Sequence, residues 1–284
     1  MTNQKYCYQA FRLIYFVALS QHTTCKRIGV CCHRSGDLPS HEDLMAADEL
    51  PRVSCHGSSL EFQQVFEQTK EPVVFVGCDK DWLAKDTWRL DSLIHRFDLA
   101  SKWRVVLLED SDAAAGDERI LWKNVVKNFQ NNKKFYVFDN LNTTYGQRLE
   151  TEYSTPSLFS KDVFEYFDFP VDYGPMRWFA LGSKFTGTFP HFDPFGTDAW
   201  NSVVHGMKWW MLFPPLSHSY LDEDYDYLGC DYSCSDENIS IVDYYSTIWS
   251  NDSIISEMFG GKSIKHVIQN EGETVYIPSG VIHR

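Results

Sequence analysis

The stretch KWWMLFPP (208–215) limits the fold more than any other part of the chain. It is a short apolar run closed by two prolines, too short to be a helix of ordinary length. Proline cannot continue a strand ladder, so the run reads as a buried strand with an abrupt stop. RWFALG (177–182) and ETVYIP (273–278) have the same character, and glycine or proline follows each. Many short strands in the C-terminal half, preceded by helices, point to a barrel or a pair of packed sheets with a helical flank. The expected class is mainly β with flanking helices, a double-stranded β-helix of jelly-roll, cupin-like form.

Upstream of these strands the pattern alternates between helix and strand. SLEFQQVFEQTK (59–70), TWRLDSLIHRF (87–97) and ERILWKNVVKNFQ (118–130) space their apolar residues as helices do. PVVFVG (72–77), WRVVLLE (103–109) and KFYVFD (134–139) read as strands. Residues 1–55 lack such periodicity and are expected to form an N-terminal arm outside a domain spanning 56–284. LDEDYDYLGCDYSCSDE (221–237) is acidic and reads as a surface insertion.

At 284 residues with 43% hydrophobic content, the chain can bury a substantial core. Its net charge of −13, with no run of four lysines or arginines, argues against direct nucleic-acid binding. No stretch reaches the 18 apolar residues that a membrane span needs. The LIYFVAL run near the start is short for a signal peptide and lacks a clean cleavage site after it. Of eight cysteines, none lies between Cys78 and Cys230, so no disulfide framework covers the middle, and a reducing compartment is expected. Cys31-Cys32 and the Cys230/Cys234 pair lack a matching second pair for a zinc site and read as loop thiols.

His191 and Asp193 stand two apart in FPHFDP (189–194). In extended backbone, residues i and i+2 face the same side. An imidazole and a carboxylate presented together supply two members of the 2-His-1-carboxylate triad that holds Fe(II) and leaves three coordination positions open. The pair alone is a weak signal, and a turn role for Asp193 before Pro194 is the plain alternative. His283, after the ETVYIP strand, is a candidate third ligand. Lys208 could anchor the far carboxylate of a chelating 2-oxo acid, with Thr188 donating a hydroxyl and Asn201 an amide. The bland reading of Lys208 is a solvent-facing strand end.

Together, RWFALGSKFTGTFPHFDPFGTDAWNSVVHGMKWWMLFPP (177–215) and GETVYIPSGVIH (272–283) resemble the catalytic core of the Jumonji C (JmjC) family of Fe(II)- and 2-oxoglutarate-dependent oxygenases. The likeness is strongest to the branch that contains the bifunctional arginine demethylase and lysyl hydroxylase. It runs from about 58 to 283. The resemblance implies that His191, Asp193 and His283 bind iron, and that Lys208, Thr188 and Asn201 hold 2-oxoglutarate. It implies turns or close backbone approach at Gly196, Gly206 and Gly280. It also implies protein hydroxylation or N-methyl demethylation, a protein or peptide substrate, and a place in the nucleus or cytoplasm. A basic peptide would suit the acidic insertion.

The chain departs from the branch in three places. Val281 and Ile282 stand where that branch has two tryptophans. The tyrosine which the branch draws from the helix before the KFYVFD-like strand is missing from ERILWKNVVKNFQ, so its role stays unassigned. The chain ends at Arg284, one residue past the third ligand, and the resemblance implies a truncated C-terminus. These departures raise a second reading, a catalytically impaired JmjC-like interaction module. A third, a cupin-type binding or storage protein, gives Lys208 no reason to be there.

Overall fold

The structure, a computed structural model, describes residues 9–18 (backbone only), 50–57, 62–108, 119–141, 143–160, 162, 177–184, 186–188, 193, 197–213 and 264–283. The acidic insertion at 221–237, Cys31, Cys32, Cys230, Cys234, Gly196 and His191 lie outside the described residues.

Among the described residues the strands form two sheets. The larger has the order β2 (Arg52–Ser54), β3 (Val73–Val76), β11 (Glu273–Ile277), β8 (Asp198–His205), β1 (Gln9–Ala18), β7 (Arg177–Ser183), β6 (Phe135–Asn140), β4 (Lys102–Leu108), β5 (Arg119–Leu121). The smaller has the order β10 (Lys265–Asn270), β9 (Met207–Phe213), β12 (Ile282–His283). Strand β1 runs parallel to both β7 and β8 and joins them. The two-sheet arrangement is that of a cupin-like jelly roll.

Alternation divides the larger sheet into two faces. Val74, Tyr136, Ala180, Ala199, Val203, Val275 and Ile277 turn inward and pack with Trp210, Leu212 and Val267 of the smaller sheet. Phe75, Val137, Phe179, Trp200 and Tyr276 turn outward. There they meet Trp88, Leu93, Trp122 and Val125 from the helical flank. The outer layer is rich in aromatic rings. Trp88 sits edge-on to Phe179 at 5.6 Å, and Phe159 stacks on Trp200 at 5.5 Å.

The flank comprises α1 (Ala84–Thr87), α2 (Leu90–Arg96), α3 (Trp122–Gln130) and α4 (Thr144–Glu150). Residues 63–67 form a single π-helical turn within the expected 59–70 helix. The 118–130 helix begins only at Trp122. Residues 119–121 form β5 instead, because Arg119–Leu121 pair with Lys102–Arg104 and Arg119 grips the buried carboxylate of Asp139. Strands β8 and β10, DAWNSVVH and KHVIQN, have no counterpart in the strand runs read from the sequence.

Cys55 and Cys78 form a disulfide. The pairing of β2 with β3 sets Ser54 against Val76, so the cysteines that follow each strand meet. The bond lies on the N-terminal side of the cysteine-free middle.

Candidate metal and oxo-acid site

His283 ends β12, whose partner is Leu212 of β9. The turn before it runs from Pro278 to Val281, with the Val281 N–H donating to the Pro278 carbonyl at 3.3 Å. Gly280 has φ +83°, the left-handed conformation this turn requires at its third position. The His283 ring bonds through Nδ1 to the Val281 carbonyl at 3.1 Å. That makes Nδ1 the N–H, and the lone pair lies on Nε2. Nε2 faces Asp193 Oδ1 at 3.8 Å. Burial pushes the imidazole pKa down to about 4, with the Val281 bond opposing and Lys208 adding to the shift. The ring is therefore neutral at ordinary pH, as a metal ligand must be.

Asp193 is half-buried on the segment between β7 and β8. Two atoms that each lie about 2.1 Å from one divalent ion are within about 4.2 Å of each other, so the separation admits a shared metal. Among the described residues no group of three His, Cys, Asp or Glu side chains is arranged to hold a metal. His191, the third member expected, is outside them.

Lys208 points inward from the start of β9, on the same side of the strand as Trp210 and opposite Gln269 of β10. Its ammonium lies 3.3 Å from the centroid of the Trp210 ring. Burial drives its pKa well below the usual lysine range, and the Asp193 carboxylate opposes the shift. A lysine so placed is a natural partner for an anion. The solvent-facing reading of Lys208 does not hold.

Asn201 sits between Ala199 and Val203 on the inner face of β8 and is 1% exposed. Both polar atoms of its amide are buried and have no hydrogen-bond partner among the described residues. A buried amide left unbonded is costly, and a polar ligand on that face would relieve it. Thr188 is half-buried on the segment leading to Asp193. The structure thus brings Asp193 and His283 together and sets Lys208 and Asn201 on the facing inner sides of the two sheets.

The strand read over 134–139 contains Tyr136, but the sequence reading gave it no role at the site. Tyr136 lies on β6, not in the preceding helix, and turns into the inner cluster that holds Trp210. Opposite it in the ladder is Gly182, where an added Cβ would approach the Tyr136 ring to 2.7 Å and Thr186 Oγ1 to 2.6 Å. Glycine there lets the ring lie flat on the sheet. Stacked rings continue along this face from Tyr136 to Phe138 and then Trp178, the latter pair 4.8 Å apart. The period-two spacing of Tyr136 and Phe138 was the signal that could have placed the tyrosine inward.

Gln269 ties the walls of this site together. It is fully buried and opposite Lys208 in register. Its Oε1 accepts from Trp210 Nε1 at 2.7 Å. Its Nε2 donates to the carbonyls of Asn201 at 2.8 Å and Glu273 at 2.7 Å. One side chain thereby joins both sheets.

A jelly roll with inward carboxylate, imidazole and lysine defines the class, and sequence comparison agrees with it. Residues 59–284 match the cupin-like domain, and the chain belongs to that family, in its JmjC group. It is 30% identical to the bifunctional arginine demethylase and lysyl-hydroxylase psr-1 of Caenorhabditis elegans, over 83% of this chain and 58% of that protein. It is 29% identical to the lysine-specific demethylase JMJ21 of Arabidopsis thaliana, over 78% of this chain and 22% of the relative. It is also 24% identical to the 2-oxoglutarate and iron-dependent oxygenase JMJD4 of Danio rerio, over 73% and 48%. The aligned region spans just over half of psr-1 and less of the other two.

Proposed function

We propose that the chain is an Fe(II)- and 2-oxoglutarate-dependent dioxygenase that acts on protein side chains, by lysyl hydroxylation or by removing N-methyl groups from arginine or lysine. The observation that carries this reading is the neutral His283 imidazole 3.8 Å from Asp193, on the inner face that also holds the half-buried Lys208. His191, Asp193 and His283 would hold the metal. Lys208 would pair with the distal carboxylate of 2-oxoglutarate, with Thr188 and the Tyr136 hydroxyl as further donors. Asn201 would bond the co-substrate with its otherwise unbonded amide. When bound, Fe(II) and 2-oxoglutarate supply oxidation of a C–H bond by O₂, with succinate and CO₂ as products.

The residues of this chain orient and exclude. The apolar inner face keeps water from the reacting centre, and the carbon held nearest the metal decides the product. A hydroxylated methylene stays as an alcohol, whereas a hydroxylated N-methyl carbon leaves as formaldehyde. The relatives named above support a protein substrate, and the acidic segment 221–237 favours a basic one.

Anaerobic titration with Fe(II) and 2-oxoglutarate tests the reading. The expected result is a weak visible charge-transfer band that Asp193→Ala and Lys208→Met abolish. A folded protein that gives no band defeats the enzyme reading and leaves an interaction module.

A further inference from the structure

We propose that Asp198 is the positioning residue that aims His283 at Asp193. The inference rests on the metal reading above and adds a residue that the ligand set does not contain. Asp198 opens β8, five residues after Asp193, and is 2% exposed. Its carboxylate gathers three donors from two remote segments. Oδ1 accepts the Ser279 N–H at 2.7 Å and the Lys70 ammonium at 3.0 Å. Oδ2 accepts the Tyr276 hydroxyl at 2.7 Å. A carboxylate this buried is tolerated only with such a set of bonds.

The Ser279 bond is the one that reaches the metal site. Ser279 is the second residue of the Pro278–Val281 turn. The last residue of that turn, Val281, supplies the carbonyl that fixes the His283 ring. A single path therefore runs from Asp198 to the Ser279 N–H, through the turn to the Val281 carbonyl, and on to His283 Nε2 facing Asp193. Because Asp198 belongs to the segment that carries Asp193, the same carboxylate sets one ligand-bearing segment against the other. The Lys70 and Tyr276 bonds hold the carboxylate still while it does so.

Ser279→Pro isolates this bond. Proline is favoured at the second position of a turn with a left-handed glycine third, so the turn and the fold should survive while the N–H is lost. The probe is Co(II) alone, read by its visible d–d absorption and by calorimetric affinity, alongside the urea midpoint. Loss of an outer-sphere partner of a metal ligand weakens binding by about 10–100-fold. Ser279→Pro and Asp198→Ala should both weaken Co(II) binding by about tenfold or more and alter the absorption bands. Asp198→Asn keeps an oxygen for the Ser279 N–H and should lie closer to wild type than Asp198→Ala does. If Asp198→Ala fails to fold, Ser279→Pro decides alone. A folded Ser279→Pro protein with wild-type affinity and bands overturns the role of Asp198 and leaves the metal reading intact. A Co(II) spectrum that His283→Ala does not change overturns the metal reading, and this inference with it.

Discussion

The Lys208 ammonium lies 3.3 Å from the centroid of the Trp210 ring, and the same ring lies 5.8 Å from that of His283. One indole thus borders both the residue proposed to anchor the oxo acid and the residue proposed to bind metal. Where that indole sits depends on Gln269, which accepts its N–H.

Gln269→Leu removes that acceptor together with the donor to two buried carbonyls. Each buried polar group left unbonded costs about 1–3 kcal/mol. With three groups left unbonded, the variant should lose about 3 kcal/mol or more in urea unfolding. In the protein that remains folded, 2-oxoglutarate affinity should fall as well, because Trp210 no longer backs Lys208.

Gly182→Ala places a methyl group 2.7 Å from the Tyr136 ring and 2.6 Å from Thr186 Oγ1. The ring has to move off the sheet. Overpacking of this kind costs about 1–3 kcal/mol. The dissociation constant for 2-oxoglutarate should rise, read by the charge-transfer titration. Ala180→Val, one step inward along the same strand, packs against the inner cluster and serves as a stability-matched comparison.

His266 supplies a pH dependence away from the metal. Its Nδ1 accepts from Trp209 Nε1 at 3.2 Å, and burial lowers its pKa to about 4. The unfolded chain takes up a proton near pH 6.5, whereas the folded ring resists until about 4. Stability is therefore complete above pH 6.5 and declines as pH falls through that window, then levels off. His266→Phe should flatten this slope by about 1–3 kcal/mol between pH 7 and 4, measured by urea midpoints.

The Cys55–Cys78 bond closes a loop with a sequence separation of 23. Chain-entropy reasoning gives a loop of this length about 3 kcal/mol of stabilisation. Dithiothreitol, or the Cys55→Ala/Cys78→Ala pair, should lower the thermal midpoint. The reductant should have no further effect on the double variant.

Strands β9 and β11 could be read from sequence because their residues are apolar and prolines bound them. Strand β8 could not. Asp198, Asn201 and Ser202 break its apolar run, yet every residue from 198 to 205 is buried. The polar atoms of Asp198 and Ser202 are met by distant partners, such as Thr274 Oγ1 for Ser202 Oγ at 2.6 Å, which a local pattern does not reveal. The β5 strand was hidden for a related reason. Arg119 scans as a helical surface residue until Asp139, twenty positions away, is beside it. At the site, Lys208 and Asn201 were legible as residue types in a motif. Tyr136 was overlooked because its role was sought in a helix. Asp198 stood inside the same motif with nothing local to single it out.

The larger sheet carries rings on both faces, and this limits how the domain can be subdivided. A chain beginning at Arg177 would keep β7 through β12, including every described residue proposed to touch the co-substrate except Tyr136. It would also leave Phe179, Trp200 and Tyr276 exposed to water, having lost Trp88, Trp122 and Phe159. Such a continuous aromatic surface is an invitation to self-association. The smallest unit in which the proposed chemistry can be tested is therefore defined by solubility as much as by the site, and it begins well upstream of the first strand that bears on the proposed metal site.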